Sequence, residues 1–154
     1  MPPIQGMEAT DGIPKLREHL AAMKRAMTAN ASSDANTSPT YREHDEHIST
    51  RDGASIAVRI RSPSQPAADG CPGLVIYHGG GFCLGGLDNE VALCRKWTSL
   101  GGVAVNVDYR LAPEHVFPTA VHDAHDALIW VSIRLVHARE SPPKGERKEA
   151  DHRS

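Results

Sequence analysis

The chain reads as an α/β protein, with a mixed sheet whose later strands are parallel and with helices on both faces. Three observations predict this. Ile56, Val58 and Ile60 alternate with Ser55, Ala57, Arg59 and Arg61 just after Asp52-Gly53, the pattern of a half-buried strand entered through a hairpin. Leu74-Val75-Ile76-Tyr77 is a continuous apolar run, which needs cover on both faces. Helix-like and strand-like segments then alternate, as they do where crossover helices wind a parallel sheet.

In chain order, residues 1–12 form a loose lead-in. Ile13, Leu16, Leu20, Met23 and Met27 recur at helical spacing, with Pro14 in a first turn where its missing N–H costs nothing. Residues 28–40 are rich in Ala, Ser, Asn and Thr and read as a linker. The partner strand of the hairpin falls near 47–50, and the proline- and glycine-bearing stretch 61–73 reads as a loop. After the apolar run, residues 78–86 are glycine-rich. Asp88 is placed to cap a helix carrying Val91, Cys94, Trp97 and Leu100, which Gly101-Gly102 would end. Val103, Val105 and Val107 form the next strand. A loop over 110–118 leads to a helix over about 119–136, with Val121, Ala124, Leu128 and Val131 on one face. From Ala138 onward no apolar anchor remains, so a disordered polar tail is expected. The expected organisation is a helical segment and linker over 1–40, a sheet domain over 41–136 and a tail over 137–154.

Composition narrows the function. The 154 residues are 40% hydrophobic and 23% charged, the balance of a globular chain. With 17 basic and 19 acidic residues the net charge is −2, too even for a protein that grips phosphate backbones by charge. Aromatic residues are only 5%, which argues against base-stacking platforms, so no nucleic-acid partner is expected. Cys71, Cys83 and Cys94 are an odd, widely spaced set without a C-x-x-C pair. They fit neither a disulfide framework nor a structural zinc site, and they suit a reducing compartment. There is no apolar run of the roughly 20 residues needed to span a bilayer, and residues 1–11 lack the apolar core of a signal peptide. The expectation is a soluble, cytoplasmic chain.

The chemistry concentrates in two segments. His78-Gly79-Gly80-Gly81-Phe82 follows an apolar strand and leads to a helix. Consecutive glycines admit positive φ and let backbone amides converge on an anion. Facing a tetrahedral acyl intermediate, one such donor is worth about 3 kcal/mol. Asp108-Tyr109-Arg110-Leu111-Ala112-Pro113-Glu114-His115 follows the second apolar strand.

Together these segments closely resemble the hormone-sensitive-lipase-like family of α/β-hydrolases, which are carboxylesterases and lipases; H-G-G-G is the oxyanion loop of such enzymes. The resemblance covers about residues 45–131, with a helical cap segment before it. It implies hydrolysis of small carboxylic esters through a serine acyl-enzyme, without a cofactor or metal. It implies that Gly79, Gly80 and Gly81 supply oxyanion-hole amides, that His78 holds the loop by hydrogen bonds, and that Phe82 lines the acyl pocket. Asp108, Arg110 and Glu114, with Asp123, would form a structural polar network beneath the site. Val116 and His122 depart from the family pattern, both in a minor way.

The larger departure lies downstream. The family nucleophile sits in G-D-S-A-G, and the 154 residues hold no G-x-S-x-G. Ser132, Ser141 and Ser154 are the only serines after the 110–118 loop, and none has flanking glycines. The acid and base follow the nucleophile in family order. The chain therefore reads as the N-terminal part of an incomplete α/β-hydrolase fold, lacking the nucleophile strand onward, a truncated or mis-spliced form expected to be inactive as written. In the family sheet, the strand at 74–77 would then be left as an open edge, a site for self-association or for pairing with an intact paralogue. A binding module of the gibberellin-receptor type, which holds a small molecule without cleaving it, is the alternative.

Other residues have plainer readings. His122 and His125, beside Asp123 and Asp126, lie at helical spacing but offer too few ligands for zinc, and His44 and His47 no more. Cys83 lacks an evident base to activate it and reads as a small packing residue. Trp97 and Trp130 read as helix residues turned to the core.

Overall fold

The computed structural model describes residues 12–30, 41–68 and 70–140. In chain order it contains helix α1 (Gly12–Asn30), strands β1 (Tyr41–Ser49), β2 (Ser55–Pro63) and β3 (Gly73–Tyr77), helix α2 (Val91–Ser99), strand β4 (Val103–Asp108) and helix α3 (Thr119–Glu140). The four strands form one sheet in the order β1-β2-β4-β3. β1 and β2 are antiparallel, β2 and β4 antiparallel, and β3 and β4 parallel, so the sheet is mixed with its later pair parallel. It is a partial, mixed sheet with flanking helices, consistent with part of the α/β-hydrolase core expected from the sequence.

The hairpin forms where Asp52-Gly53 places it. Gly53 adopts φ +81° and donates its N–H to the Thr50 carbonyl at 2.9 Å, while Thr50 and Ala54 close the turn at 3.0 Å. β1 is much longer than the 47–50 stretch expected from the sequence. Its residues, Tyr-Arg-Glu-His-Asp-Glu-His-Ile-Ser, are polar on both faces, so no alternation marks them; pairing from Tyr41↔Pro63 to Ser49↔Ser55 makes them a strand. The same pairing carries β2 to Pro63, into the stretch expected to be loop. Charged side chains along this edge blunt further pairing.

The sheet has two packed faces because successive side chains alternate. On one face Ile48, Ile56, Val58, Val105 and Val107 meet Ala120, Ala127 and Val131 of α3. On the other, Ile76 and Ala104 meet Cys94 of α2, with Leu74 and Trp97 at the margin. The helices therefore cover opposite faces. Between β4 and α2, fully buried Asn106 donates through Nδ2 to the Leu87 and Asn89 carbonyls at 2.8 and 3.0 Å, pinning the loop before α2.

Three helix ends differ from expectation. Asp88 does not cap α2: Glu90 is the N-cap, in the left-handed region at φ +57° and without a side-chain cap bond, while Asp88 accepts from Arg59 at 2.8 Å. Cross-sheet charge pairing wins the carboxylate over the helix end. α1 takes in residues 28–30, and α3 continues to Glu140, where helix propensity persists after the apolar pattern weakens. Residues 31–40 and 141–154, expected to be linker and tail, lie outside the described residues. At the end of α2, Gly101 takes φ +90°, and Gly101 and Gly102 donate to the Thr98 and Trp97 carbonyls, as the Gly-Gly pair predicts. Among the described residues no helix is long and apolar enough to cross a membrane. Cys71, Cys83 and Cys94 are all unpaired.

Candidate active site

β3 ends at Tyr77 and delivers His78, which is buried, into the start of the glycine loop. The loop turns through positive φ at Gly80 (+134°), Gly81 (+61°) and Phe82 (+60°), and the Gly80 carbonyl accepts from the amides of Cys83 and Leu84 at 3.1 and 3.0 Å. A Cβ at Gly80 would lie 2.0 Å from the Leu84 carbonyl oxygen, so only glycine fits. No acceptor among the described residues takes the amides of Gly79, Gly80 or Gly81. Unmatched amides in one tight turn are an anion-binding element.

The loop is held from beneath. His78 donates through Nδ1 to the Gly79 carbonyl at 3.0 Å, and its ring stacks on Tyr109 with centroids 4.3 Å apart. The Tyr109 hydroxyl donates to the His78 carbonyl at 2.6 Å, and burial raises its pKa. A Cβ at Gly85 would meet the His78 ring at 2.1 Å, so Gly85 makes room for this stack. Phe82 is largely exposed at the rim, 6.2 Å from the Tyr109 ring, and its carbonyl accepts from the Ala112 amide at 2.9 Å.

A third hold comes from α1. Arg17 donates through Nε to the Cys83 carbonyl at 2.7 Å, through Nη2 to the Ala112 carbonyl at 2.5 Å, and through Nη1 to Glu114 at 2.8 Å. One guanidinium thus ties the helix to both loops. Arg17→Ala should leave the sheet intact and free α1: proteolysis within residues 12–30 is expected to accelerate at least about tenfold, since opening then depends on fewer charge-assisted bonds. Unchanged cleavage of α1 would contradict this.

The other polar residues separate into distinct groups. Arg110 grips fully buried Asp123 through Nε (2.9 Å) and Nη2 (2.6 Å), Asp123 also accepts the Arg110 amide at 3.0 Å, and Asp52 accepts from Nη1 at 2.8 Å. The Arg110 bond, helped by Thr50, holds the Asp52 carboxyl well below the usual carboxylate range. Glu114 belongs instead to Arg17, 2.8 Å away. Asp108 stands apart from both: its carboxyl makes no hydrogen bond among the described residues and lies beside Gly86, so burial raises its pKa, partly offset by His78. Arg51 pairs with Asp126 at 2.7 Å and donates to His125 Nδ1 at 2.8 Å, so that corner of α3 is an ion-pair cluster.

Asp108 has a testable pH signature. Its folded pKa is raised, so the folded chain holds its proton more tightly. Its contribution is present below the unfolded value of 3.8 and is lost as pH rises through the folded value. Asp108→Asn should therefore raise the melting midpoint at pH 7 and leave it unchanged near pH 3, measured by thermal melts across that range. A midpoint lowered at pH 7 would refute it.

The sequence assigns no site role to Arg17, Asp52, Gly85 or Tyr109. Tyr109 lies inside the Asp-Tyr-Arg-Leu-Ala-Pro-Glu segment and Asp52 in the hairpin turn, so their segments are marked but their contacts are not. Arg17 carries no sequence signal.

A family model described as alpha/beta hydrolase fold matches residues 74–144. The chain is 34% identical over 137 residues to the carboxylesterase NlhH of Mycobacterium tuberculosis, covering 88% of this chain and 40% of NlhH. It is 44% identical over 90 residues to an ethyl acetate hydrolase of Pseudomonas putida, covering 56% and 28%. Among solved structures it resembles EstE1, a thermostable carboxylesterase cloned from a metagenomic library, with TM-score 0.67 and 39% identity over 82% of this chain and 41% of that one. The chain spans less than half the length of these relatives.

Proposed function

We propose, from the chain's membership of the α/β-hydrolase superfamily of esterases and lipases, that it supplies the oxyanion-binding part of a serine carboxylesterase site of the hormone-sensitive-lipase type. The observation that carries this is the set of unmatched amides of Gly79, Gly80 and Gly81 at the C-terminal end of β3. As a serine oxygen adds to an ester carbonyl, its proton passes to the general base, the C=O π electrons move onto oxygen, and these amides donate to the oxyanion. When the C=O re-forms, the alkoxide leaves and takes a proton from the general acid. His78 holds the loop through the Gly79 carbonyl rather than moving a proton, and Phe82 at the rim borders the acyl group. Arg110 with Asp123 fixes the floor. The substrate class is a small carboxylic ester, no cofactor is needed, and the compartment is the cytoplasm.

The 154 residues contain no G-x-S-x-G, so they are expected to give no turnover of p-nitrophenyl acetate alone. Placing residues 41–136 in a chimera with the remainder of NlhH tests the loop: esterase activity is expected. A folded chimera without activity, or turnover by the 154 residues alone, would overturn the reading.

A second reading rests on the edge of the sheet. β3 pairs only with β4 among the described strands, and Val121, Leu128, Ile129 and Ile133 of α3 are about half exposed. An open parallel edge beside apolar side chains favours association. Sedimentation of the 154 residues should show concentration-dependent self-association; a monomer at every concentration removes this reading.

A further inference from the structure

The glycine loop leaves a second polar cleft unexplained. It lies between β1, β2 and the start of α2, has a volume of about 470 Å³, and is lined by Glu43, Arg59, Arg61, Asp88, Val91 and Arg95, with Tyr41 at its side. Arg61 decides its character. On the α2 face of β2, opposite Glu43 on β1 and Ala104 on β4, it is 2% exposed. Its Nε donates to Glu43 at 2.5 Å, but its Nη1 is buried with no hydrogen-bond partner among the described residues. A buried, charged donor without a partner destabilises the fold unless something meets it.

The other charges show what is left over. Arg59 is engaged at all three nitrogens, donating through Nε and Nη2 to Asp45 at 2.7 and 2.9 Å and through Nη1 to Asp88 at 2.8 Å. Glu43 is turned to the Arg61 Nε side, with Arg59 Nε 3.8 Å away. Arg95, one turn into α2, is exposed and has no acceptor among the described residues. Val91 brings the first turn of α2 to the cleft, and its N-cap Glu90 supplies no side-chain bond. The unmet donors are Arg61 Nη1, the Arg95 guanidinium and the first amides of a helix, while the exposed Glu90 carboxylate at the N-cap is the acceptor beside them. Coming from a strand and a helix, they suit an acceptor with several oxygens.

We propose that this cleft binds a phosphate-type oxoanion, held by Arg61 and Arg95 at the N-terminus of α2. The carboxylates of Glu43, Asp45 and Asp88 are already engaged with Arg59 and Arg61, so they orient these arginines while leaving the remaining donors to the anion. The site shares no lining residue with the cleft beside Gly85 and Asp108, so it is a separate place on the molecule.

Inorganic phosphate, titrated into the 154-residue chain and followed by calorimetry and by the amide signals of Val91 to Leu93, tests this. Saturable binding is expected, weakened about tenfold or more in Arg95→Ala, the loss of one charge-assisted donor. Arg95 is exposed, so that variant keeps the fold; Arg61→Met, at a buried position, is the companion. Adenosine monophosphate distinguishes the source: tighter binding than phosphate supports a phosphomonoester, and equal binding supports the free ion. Identical binding in Arg95→Ala, no saturation, or the same response to sodium chloride at matched ionic strength overturns the site.

Discussion

Replacing Arg110 by methionine is expected to lower stability by about 3–5 kcal/mol, because it strands the Asp123 carboxylate in the core. Asp123 is fully buried, and Arg110 supplies two side-chain bonds to it as well as its own amide. A domain of this size has only about 5–15 kcal/mol in total, so a loss on that scale should appear as a melting midpoint lower by about 10 °C or more. The exposed partner gives the contrast: Asp52→Asn removes a solvent-facing bond to the same guanidinium and should change the midpoint little. Pairing Arg110→Met with Asp123→Leu should recover much of the loss, since breaking one side of a buried pair costs more than replacing both. Equal melting of Arg110→Met and the parent chain would show that the pair does not hold the loop after β4.

Gly80→Ala is expected to be the most damaging change in the glycine loop. The new Cβ meets Leu84 backbone, its carbonyl oxygen at 2.0 Å and its carbon at 2.6 Å, at φ +134°. Backbone cannot move aside as a flexible side chain can, so strain and overpacking together should cost at least about 2 kcal/mol. In the NlhH chimera the same change should lower kcat by about 10²–10³, the effect of losing one oxyanion donor, with KM altered much less. Gly81→Ala is the comparison, since nothing lies within 4 Å of its Cβ and only its φ of +61° is unfavourable. If Gly80→Ala and Gly81→Ala behaved alike, the close approach at Leu84 would not govern the loop.

Much of this molecule is local in origin. Period-two alternation over 55–61, the apolar run at 74–77, the valines of β4 and the Gly101-Gly102 stop each state a conformation within a few residues, and all four are seen. H-G-G-G carries its own reason, since φ of +134° and +61° is open to glycine and strained for other residues. What these segments could not state is partnership. Tyr41 to Glu46 become strand only because β2 offers hydrogen bonds. Asp88 stands where a cap belongs, yet Arg59 reaches it from across the sheet. Glu114 and Asp108, neighbours of Arg110 in sequence, leave its network because Arg17 arrives from α1 and the half-buried Asp108 lies beside Gly86 instead. Arg61 looks like the outward residue of an alternating strand, and α2 closes over it. Backbone conformation follows from short-range sterics and periodicity. The pairing of charges depends on which groups, 66 or 97 residues apart in the chain, the fold brings within 3 Å, and only the tertiary structure decides that.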